Sequence, residues 1–131
     1  MQKLTLFRND KPVITIDGTA GSGKGTLAKK IAFSLGYDHL DTGLLYRYLA
    51  YLKISKGLNL DEVGTLKSLK INYPLIKKIR LKTELISKEA SIISKEKIVR
   101  DFLLSFQRNF ANKPPSLKGS VIDGRDIGSV V

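Results

Sequence analysis

Short apolar runs alternate along this chain with longer stretches in which apolar residues recur at helical spacing. Residues 13–16 (Val-Ile-Thr-Ile) are all β-branched, which predicts a buried strand. Apolar residues then recur with a helical period between residues 27 and 35, and Gly36 is a typical helix end. The pattern therefore predicts a strand followed by a helix.

The same alternation continues along the chain. His39-Leu40 predicts a very short second strand, and residues 44–53 predict a second helix. Residues 95–110 are an amphipathic helix with its apolar side chains on one stripe. Residues 112–115 (Asn-Lys-Pro-Pro) break this helix, and Val121-Ile122 predicts a third short buried strand.

Two segments fit this alternation less well. Residues 1–11 form an N-terminal tail that is either disordered or a short extra strand, and no function is assigned to it. Residues 58–90 are rich in lysine, with Pro74 in their middle, and predict a small insert of helix, with or without an irregular hairpin.

Alternating strands and helices predict an α/β fold in which a parallel sheet carries helices on both faces. Ligands of such folds lie beyond the carboxyl ends of the strands. Polar clusters that begin at Gly18, Asp41 and Asp123 follow the three predicted strands. We therefore expect these clusters to converge.

Composition limits the classes of protein. The 131 residues, 42% of them hydrophobic, suit one modest domain. There is no cysteine, which excludes disulfides and thiolate metal sites, and the single histidine, His39, cannot form a zinc site unaided. No apolar stretch approaches the ~20 residues of a membrane span. We expect a cytoplasmic protein, without a membrane partner and monomeric.

The formal net charge of +11 is compatible with nucleic-acid binding. However, the lysines are scattered through residues 67–97 with apolar residues between them, and no nucleic-acid recognition motif is present. This distribution favours solvated helix faces, so no nucleic-acid partner is expected.

The residues between the first strand and the first helix predict a phosphate-binding loop. Its glycines leave room for the backbone to wrap a polyphosphate, and the N–H groups at the start of the following helix point at the anion. A lysine at this offset reaches the β and γ oxygens, and a hydroxyl lies on the magnesium side. The candidate residues for ATP phosphate binding are Gly18, Thr19, Ala20, Gly21, Ser22, Gly23, Lys24, Gly25 and Thr26.

The position after the lysine is unusual, because Gly25 stands where Ser or Thr is common and Thr26 supplies the hydroxyl one place later. This variant resembles the nucleoside monophosphate kinases. Taken with the later clusters, the chain resembles the bacterial cytidylate kinases from about Pro12 to Val131. The resemblance is carried by Ile14-Thr15-Ile16-Asp17-Gly18 with Gly21-Ser22-Gly23-Lys24-Gly25-Thr26-Leu27, by Leu40-Asp41-Thr42-Gly43 with Tyr46-Arg47, by Ser91, Arg100 and Gln107-Arg108, and by Asp123-Gly124-Arg125-Asp126-Ile127-Gly128.

The resemblance implies a P-loop kinase three-layer fold that phosphorylates CMP and dCMP, with ATP and Mg²⁺ as cofactors. In this interpretation Lys24, Arg47 and Arg125 are the catalytic cations, and the two arginines hold the acceptor phosphate. Thr42 adds a hydroxyl at that phosphate. The positions that match the cytosine contacts are Ser91, Arg100 and Asp126, and those that match the magnesium side are Thr26 and, through water, Asp123.

Each of these residues also has an ordinary structural explanation. Arg47 and Arg100 lie on predicted helices, where surface arginines are common. Asp41 and Asp123 are also suited to capping the segment that follows each of them. Asp17, next to the loop, is expected to support it structurally.

The chain departs from the family at two places. The segment between Arg47 and Ser91 is shorter than the usual monophosphate-binding insert. The sequence also stops at Val131, after about three predicted strands. We therefore expect a partial domain over residues 1–131 that lacks the lid and the C-terminal half. Little or no phosphoryl transfer is expected from these 131 residues alone.

Two other functions remain open at this stage. One is a small-molecule kinase on the same scaffold, of the shikimate or dephospho-coenzyme A type. Thr42, Arg47 and the Asp-Gly-Arg-Asp loop argue against it. The other is a nucleotide- or RNA-binding remnant without turnover, which the early end and the net charge of +11 favour.

Overall fold

The computed structural model describes residues 2–7, 11–19 and 22–124. The chain divides into two compact units, one formed by Met1–Thr42 with Leu104–Val131 and the other by Gly43–Leu103. In chain order the elements are β1 (Lys3–Phe7), β2 (Val13–Asp17), α1 (Lys24–Leu35), β3 (Asp38–Asp41), α2 (Thr42–Lys56), α3 (Val63–Ser68), α4 (Tyr73–Ile76), α5 (Glu84–Ile93), α6 (Lys97–Asn112) and β4 (Ser120–Gly124).

The first unit contains a four-stranded sheet with the order β1-β2-β4-β3. β2, β4 and β3 are parallel, which confirms the predicted α/β fold with three parallel strands. β1 pairs antiparallel with β2, so the N-terminal segment is the short extra strand, one of the two alternatives stated for it.

The strand register aligns the carboxyl ends of the parallel strands. Asp17 at the end of β2 pairs with Gly124 of β4, and Asp41 at the end of β3 pairs with Asp123. The predicted convergence of the three polar clusters is therefore confirmed at this edge of the sheet, as far as the described residues extend.

One face of this sheet is covered by α1. Ile14, Ile16 and Val121 pack there against Ala28 and Ala32 of the helix. Because alanine is small, the helix backbone lies close to the strands, and its first turn is fixed beside the carboxyl ends of β2 and β4. Three partly buried hydrophobic residues complete this core: Leu27, Ile31 and Tyr37.

Gly119, just before β4, occupies a position with no room for a side chain. A Cβ atom there would lie 2.8 Å from Cζ of Tyr37 and 2.9 Å from the carbonyl oxygen of Pro12. The backbone at this point is also bonded on both sides, because Asp38 N donates to Gly119 O and Ser120 N donates to Pro12 O, each at 3.0 Å. The start of β4 therefore cannot shift without breaking sheet hydrogen bonds.

We predict that Gly119→Ala lowers the free energy of unfolding by about 1–3 kcal/mol, the usual cost of forcing extra volume into a packed site. Urea unfolding followed by circular dichroism measures this change. Gly64→Ala is the matched control, because a Cβ at Gly64 in α3 meets no atom within 4 Å and should leave stability unchanged or raise it. Equal effects of the two substitutions would contradict the close contact at Gly119.

The second unit is helical. It contains all of α3, α4 and α5, and its fully buried apolar side chains include Leu49, Leu66, Ile76 and Val99. No helix in the described parts of the chain is both long enough and apolar enough to cross a membrane.

Within residues 58–90, all of them described, the predicted helical structure is present and no hairpin is formed, which decides between the two alternatives. The local sequence starts helices instead. Asn72 caps α4 by accepting a hydrogen bond from Leu75 N at 3.3 Å, and Pro74 lies in the first turn of that helix. Thr83 caps α5 in the same way through Ile86 N, at 3.2 Å.

Candidate functional site

The predicted phosphate-binding loop lies between the end of β2 and the start of α1. Its first residue is tied to the sheet, because Gly18 N donates to Gly124 O at 3.0 Å. Ser22 N donates to Thr19 O at 3.2 Å, which turns the chain toward the helix. Ala20 and Gly21 of the predicted loop lie outside the described residues.

Gly23 is the N-cap of α1 and has a φ of 84°, a left-handed conformation that disfavours residues with a Cβ. Among the described residues no side chain caps the helix at this end, and no acidic residue lies in its first turn. The first N–H groups of the 12-residue helix therefore remain open to an anion, which the helix dipole also favours.

The hydroxyl of Ser22 adds a second feature to this loop. Ser22 Oγ is buried and has no hydrogen-bond partner within the described residues. A buried hydroxyl without a partner carries a desolvation cost, which a bound phosphate oxygen would remove. The loop therefore offers both backbone and side-chain donors to an anion.

The N-terminal strand also reaches the loop. Gln2 Nε2 donates to the carbonyl oxygen of Ser22 at 2.6 Å. Because β1 runs antiparallel to β2, its first residues lie beside the end of β2, and Lys3 pairs with Asp17. The sequence of this segment indicates no function, and its pairing with β2 could not be inferred from its own pattern.

Asp123 of β4 is the centre of a buried polar cluster. Its side chain is 0% exposed, and Lys24 Nζ lies 3.2 Å from its Oδ1. His39 Nε2 contacts its other oxygen, Oδ2. Thr42 Oγ1 donates to the backbone carbonyl of Asp123 at 2.9 Å. The cluster satisfies the requirement that a buried carboxylate be paired.

His39 is the member of this cluster that sequence reasoning missed. The sequence pattern suggested only a zinc-ligand role for histidine, and a single histidine cannot form a zinc site unaided. The available signal was its position on the second predicted strand, two residues before Asp41. The structure pairs His39 with Val121 and Asp41 with Asp123 along these two strands.

Thr26, predicted on the magnesium side, and Thr42, predicted at the acceptor phosphate, differ in their surroundings. Thr26 is exposed in the first turn of α1. Thr42 is 3% exposed and already donates to Asp123 O. A threonine hydroxyl has one hydrogen to donate, so a donor role for Thr42 at the acceptor phosphate would require this bond to be exchanged. That role stays a prediction.

The predicted acceptor-binding residues that the structure describes, apart from Thr42, belong to the second unit. Arg47 is partly buried on α2, and Ser91 is exposed on α5. Arg100 on α6 donates through Nη1 to Lys95 O at 3.1 Å. Burial raises the pKa of the Tyr46 hydroxyl, and the charge of nearby Arg100 partly opposes that rise. Arg125 and Asp126 lie outside the described residues.

The described side chains form no preassembled site for a magnesium ion. In residues 2–7, 11–19 and 22–124, no three or more His, Asp or Glu side chains gather into a site that could hold a metal. Mg²⁺ commonly keeps several waters and binds through one or two carboxylates together with substrate phosphates. Asp123, beside the lysine of the loop, fits this second arrangement, with a nucleotide phosphate as the remaining ligand.

A parallel α/β sheet, a glycine-rich loop that opens a helix and a lysine at its first position together define a P-loop protein. The sequence model of the family described as cytidylate kinase matches residues 14–131. The chain therefore belongs to the cytidylate kinase family, a family of kinases.

Individual relatives agree with this assignment. A cytidylate kinase of Bradyrhizobium diazoefficiens is 46% identical over 121 residues, which cover 91% of this chain and 56% of that protein. One of Brucella suis biovar 1 is also 46% identical, over 91% of this chain and 54% of its own length. One of Afipia carboxidovorans is 43% identical over 126 residues. The chain spans about half the length of the curated relatives that it matches.

Proposed function

We propose that the protein containing this chain transfers the γ-phosphoryl group of ATP to CMP and dCMP, with Mg²⁺ as cofactor. The observation that carries the proposal is the open N-terminus of α1, with Lys24 at its first position against the buried carboxylate of Asp123. Membership of the cytidylate kinase family supports the choice of acceptor.

On the ATP side, the loop and the helix N-terminus supply donors that are fixed before the nucleotide arrives. Their N–H groups bind the β- and γ-phosphate oxygens, and the hydroxyl of Ser22, which has no partner among the described residues, supplies a further donor. Lys24 adds a cation on a flexible stem that follows the charge as it moves from the γ-phosphate to the leaving oxygen.

On the acceptor side, the main physical problem is repulsion between two anionic phosphates. Arg47 and Arg125 are proposed to lie between them, because a guanidinium offers paired donors that match phosphate oxygens. Thr42 adds a hydroxyl. Ser91 and Arg100 are proposed to donate to the carbonyl and ring nitrogen of cytosine.

The reaction balances without an added base. An anionic oxygen of the CMP phosphate forms a bond to the γ-phosphorus of ATP, while the bond from that phosphorus to the β–γ bridging oxygen breaks and ADP leaves. When bound, Mg²⁺ neutralises phosphate charge, and Asp123 and Thr26 are the residues proposed to hold it, Asp123 through water.

An acceptor panel separates this function from its alternatives. The complete natural polypeptide that contains this chain, given ATP and Mg²⁺, should convert CMP and dCMP to diphosphates that mass spectrometry detects. Shikimate and dephospho-coenzyme A, the acceptors of the other kinase type considered, should remain unconverted. ATP binding without conversion of any acceptor would favour a non-catalytic remnant. The cytoplasmic location and the monomeric state stay predictions.

We predict that Arg47→Ala raises the KM for CMP by roughly 10- to 150-fold, the loss expected for hydrogen bonds to a charged group. The KM for ATP should change little, since the guanidinium is proposed to meet the acceptor phosphate. Arg80→Ala, at an exposed position of the second unit, is the control for loss of an arginine charge. An equal loss of ATP affinity in the Arg47 variant would contradict this assignment.

Base selection gives a separate prediction, because Asp126 is proposed to accept a hydrogen bond from the exocyclic amine of cytosine. Asp126→Asn should narrow the preference for CMP over UMP by roughly 5- to 150-fold at most, since one buried polar contact is changed. The ratio of kcat/KM for the two acceptors measures it. An unchanged ratio with CMP still bound would remove Asp126 from the base site.

A further inference from the structure

The two oxygens of the Asp123 carboxylate have partners of different kinds. Oδ1 faces Lys24 Nζ, the end of a long flexible side chain at the start of α1. Oδ2 contacts Nε2 of His39, a residue of β3 whose side chain is shorter than that of lysine. The hydrogen-bonded register between β3 and β4 fixes His39 and Asp123 relative to each other. One partner is therefore mobile and the other is fixed.

This difference matters once a nucleotide binds, and the argument here rests on the proposed function. Lys24 is 17% exposed and has to direct its ammonium group toward the phosphates, away from the fully buried Asp123. A buried carboxylate that loses its cation is strongly destabilised. Without a second partner, Asp123 would hold Lys24 back and oppose nucleotide binding.

We infer that His39 is a positioning residue that keeps Asp123 paired while Lys24 moves to the nucleotide phosphates. With Asp123 ionised, the ring nitrogen Nε2 donates its hydrogen to Oδ2. Thr42 holds the backbone of the same residue through its hydroxyl. His39 thereby lowers the free-energy cost of breaking the ion pair between Asp123 and Lys24, and it does so without contacting the nucleotide.

The inference is tested with inorganic tripolyphosphate, a probe that needs the loop and Lys24 but neither an adenine nor an acceptor site. Isothermal titration of the complete natural polypeptide should give a dissociation constant about 10-fold or more higher for His39→Leu than for wild type, the loss expected for a hydrogen bond to a charged group. His39→Gln keeps an N–H donor at a similar reach and should restore affinity to within a few-fold.

A double substitution separates positioning from packing. In an Asp123→Asn background the side chain is neutral and does not hold Lys24, so His39→Leu should no longer weaken binding. Equal affinities of wild type and His39→Leu would overturn the inference. Equally weak binding by the Leu and Gln variants would also overturn it, because that result indicates a steric role.

The proposed function fails by a different result. If tripolyphosphate binding follows the predicted order of variants but no CDP forms from CMP and ATP, the role of His39 stands and the acceptor assignment is wrong. If CDP forms at the wild-type rate in His39→Leu and its tripolyphosphate affinity is unchanged, the function stands and the positioning role is wrong.

Discussion

Replacing Lys24 with alanine should reduce the rate of phosphoryl transfer by roughly 100- to 1,000-fold, the loss typical when one preorganised donor to developing charge is removed. The side chain lies at the first position of α1, where the open helix N-terminus already favours an anion, and it supplies the only full positive charge among the loop residues 18–19 and 22–26 that the structure describes. Its loss should weaken binding of ATP and also slow the reaction of bound ATP.

The fold should survive the Lys24→Ala substitution. Asp123 keeps His39 on its other oxygen, and the lysine takes no part in the apolar core formed by Ile14, Ile16 and Val121. Lys30→Ala is the matched control, since Lys30 is an exposed lysine of the same helix. Steady-state rates and unfolding curves of both variants measure the two effects. Full ATP turnover by Lys24→Ala would exclude the proposed role of this residue.

Replacing Asp123 with alanine should have the largest effect on stability. This substitution leaves Lys24 and His39, at 17% and 15% exposure, without the carboxylate that pairs them. Removing one member of a buried pair is destabilising by about 3–5 kcal/mol. Activity should also fall, because Asp123 is the residue proposed to hold magnesium through water.

Asp101→Ala is the matched control for Asp123→Ala. Asp101 is 58% exposed and pairs with Lys97 at 2.6 Å on the surface of α6. Surface pairs of this kind contribute only about 0.3–0.5 kcal/mol. The free energies of unfolding of the two variants, measured with denaturant, should therefore differ by several kcal/mol. Equal losses of unfolding free energy would contradict the burial of the cluster around Asp123.

Much of the structure of the first unit could be predicted from the local sequence pattern. The β-branched run at residues 13–16 is buried on both sides of a parallel sheet, so its continuous apolar pattern predicts it well. The glycine spacing together with Lys24 identifies the phosphate-binding loop, because few other local structures need this combination of residues. The convergence of Asp41 and Asp123 followed from a general property of parallel strands and is confirmed by their register.

Other features depend on contacts between residues far apart in the chain. The pairing of β1 with β2 depends on a partner surface that the pattern of residues 3–7 does not specify. The need for glycine at position 119 arises from Tyr37 and Pro12, which are distant in sequence. His39 acquires its role only because β3 lies beside β4. In the 58–90 segment, the caps at Asn72 and Thr83 start helices, and the sequence pattern alone left open whether a hairpin accompanies them.

The central claim is that the loop, Lys24 and Asp123 serve the transfer of phosphate from ATP to CMP. The most direct test follows the label from γ-³²P-ATP in the complete natural polypeptide with Mg²⁺ and CMP. Label should appear in CDP at the rate at which ADP forms, and the rates of formation of both products should fall together by roughly 100-fold or more in Lys24→Ala. Release of label as free phosphate at the same rate with and without CMP would contradict this claim.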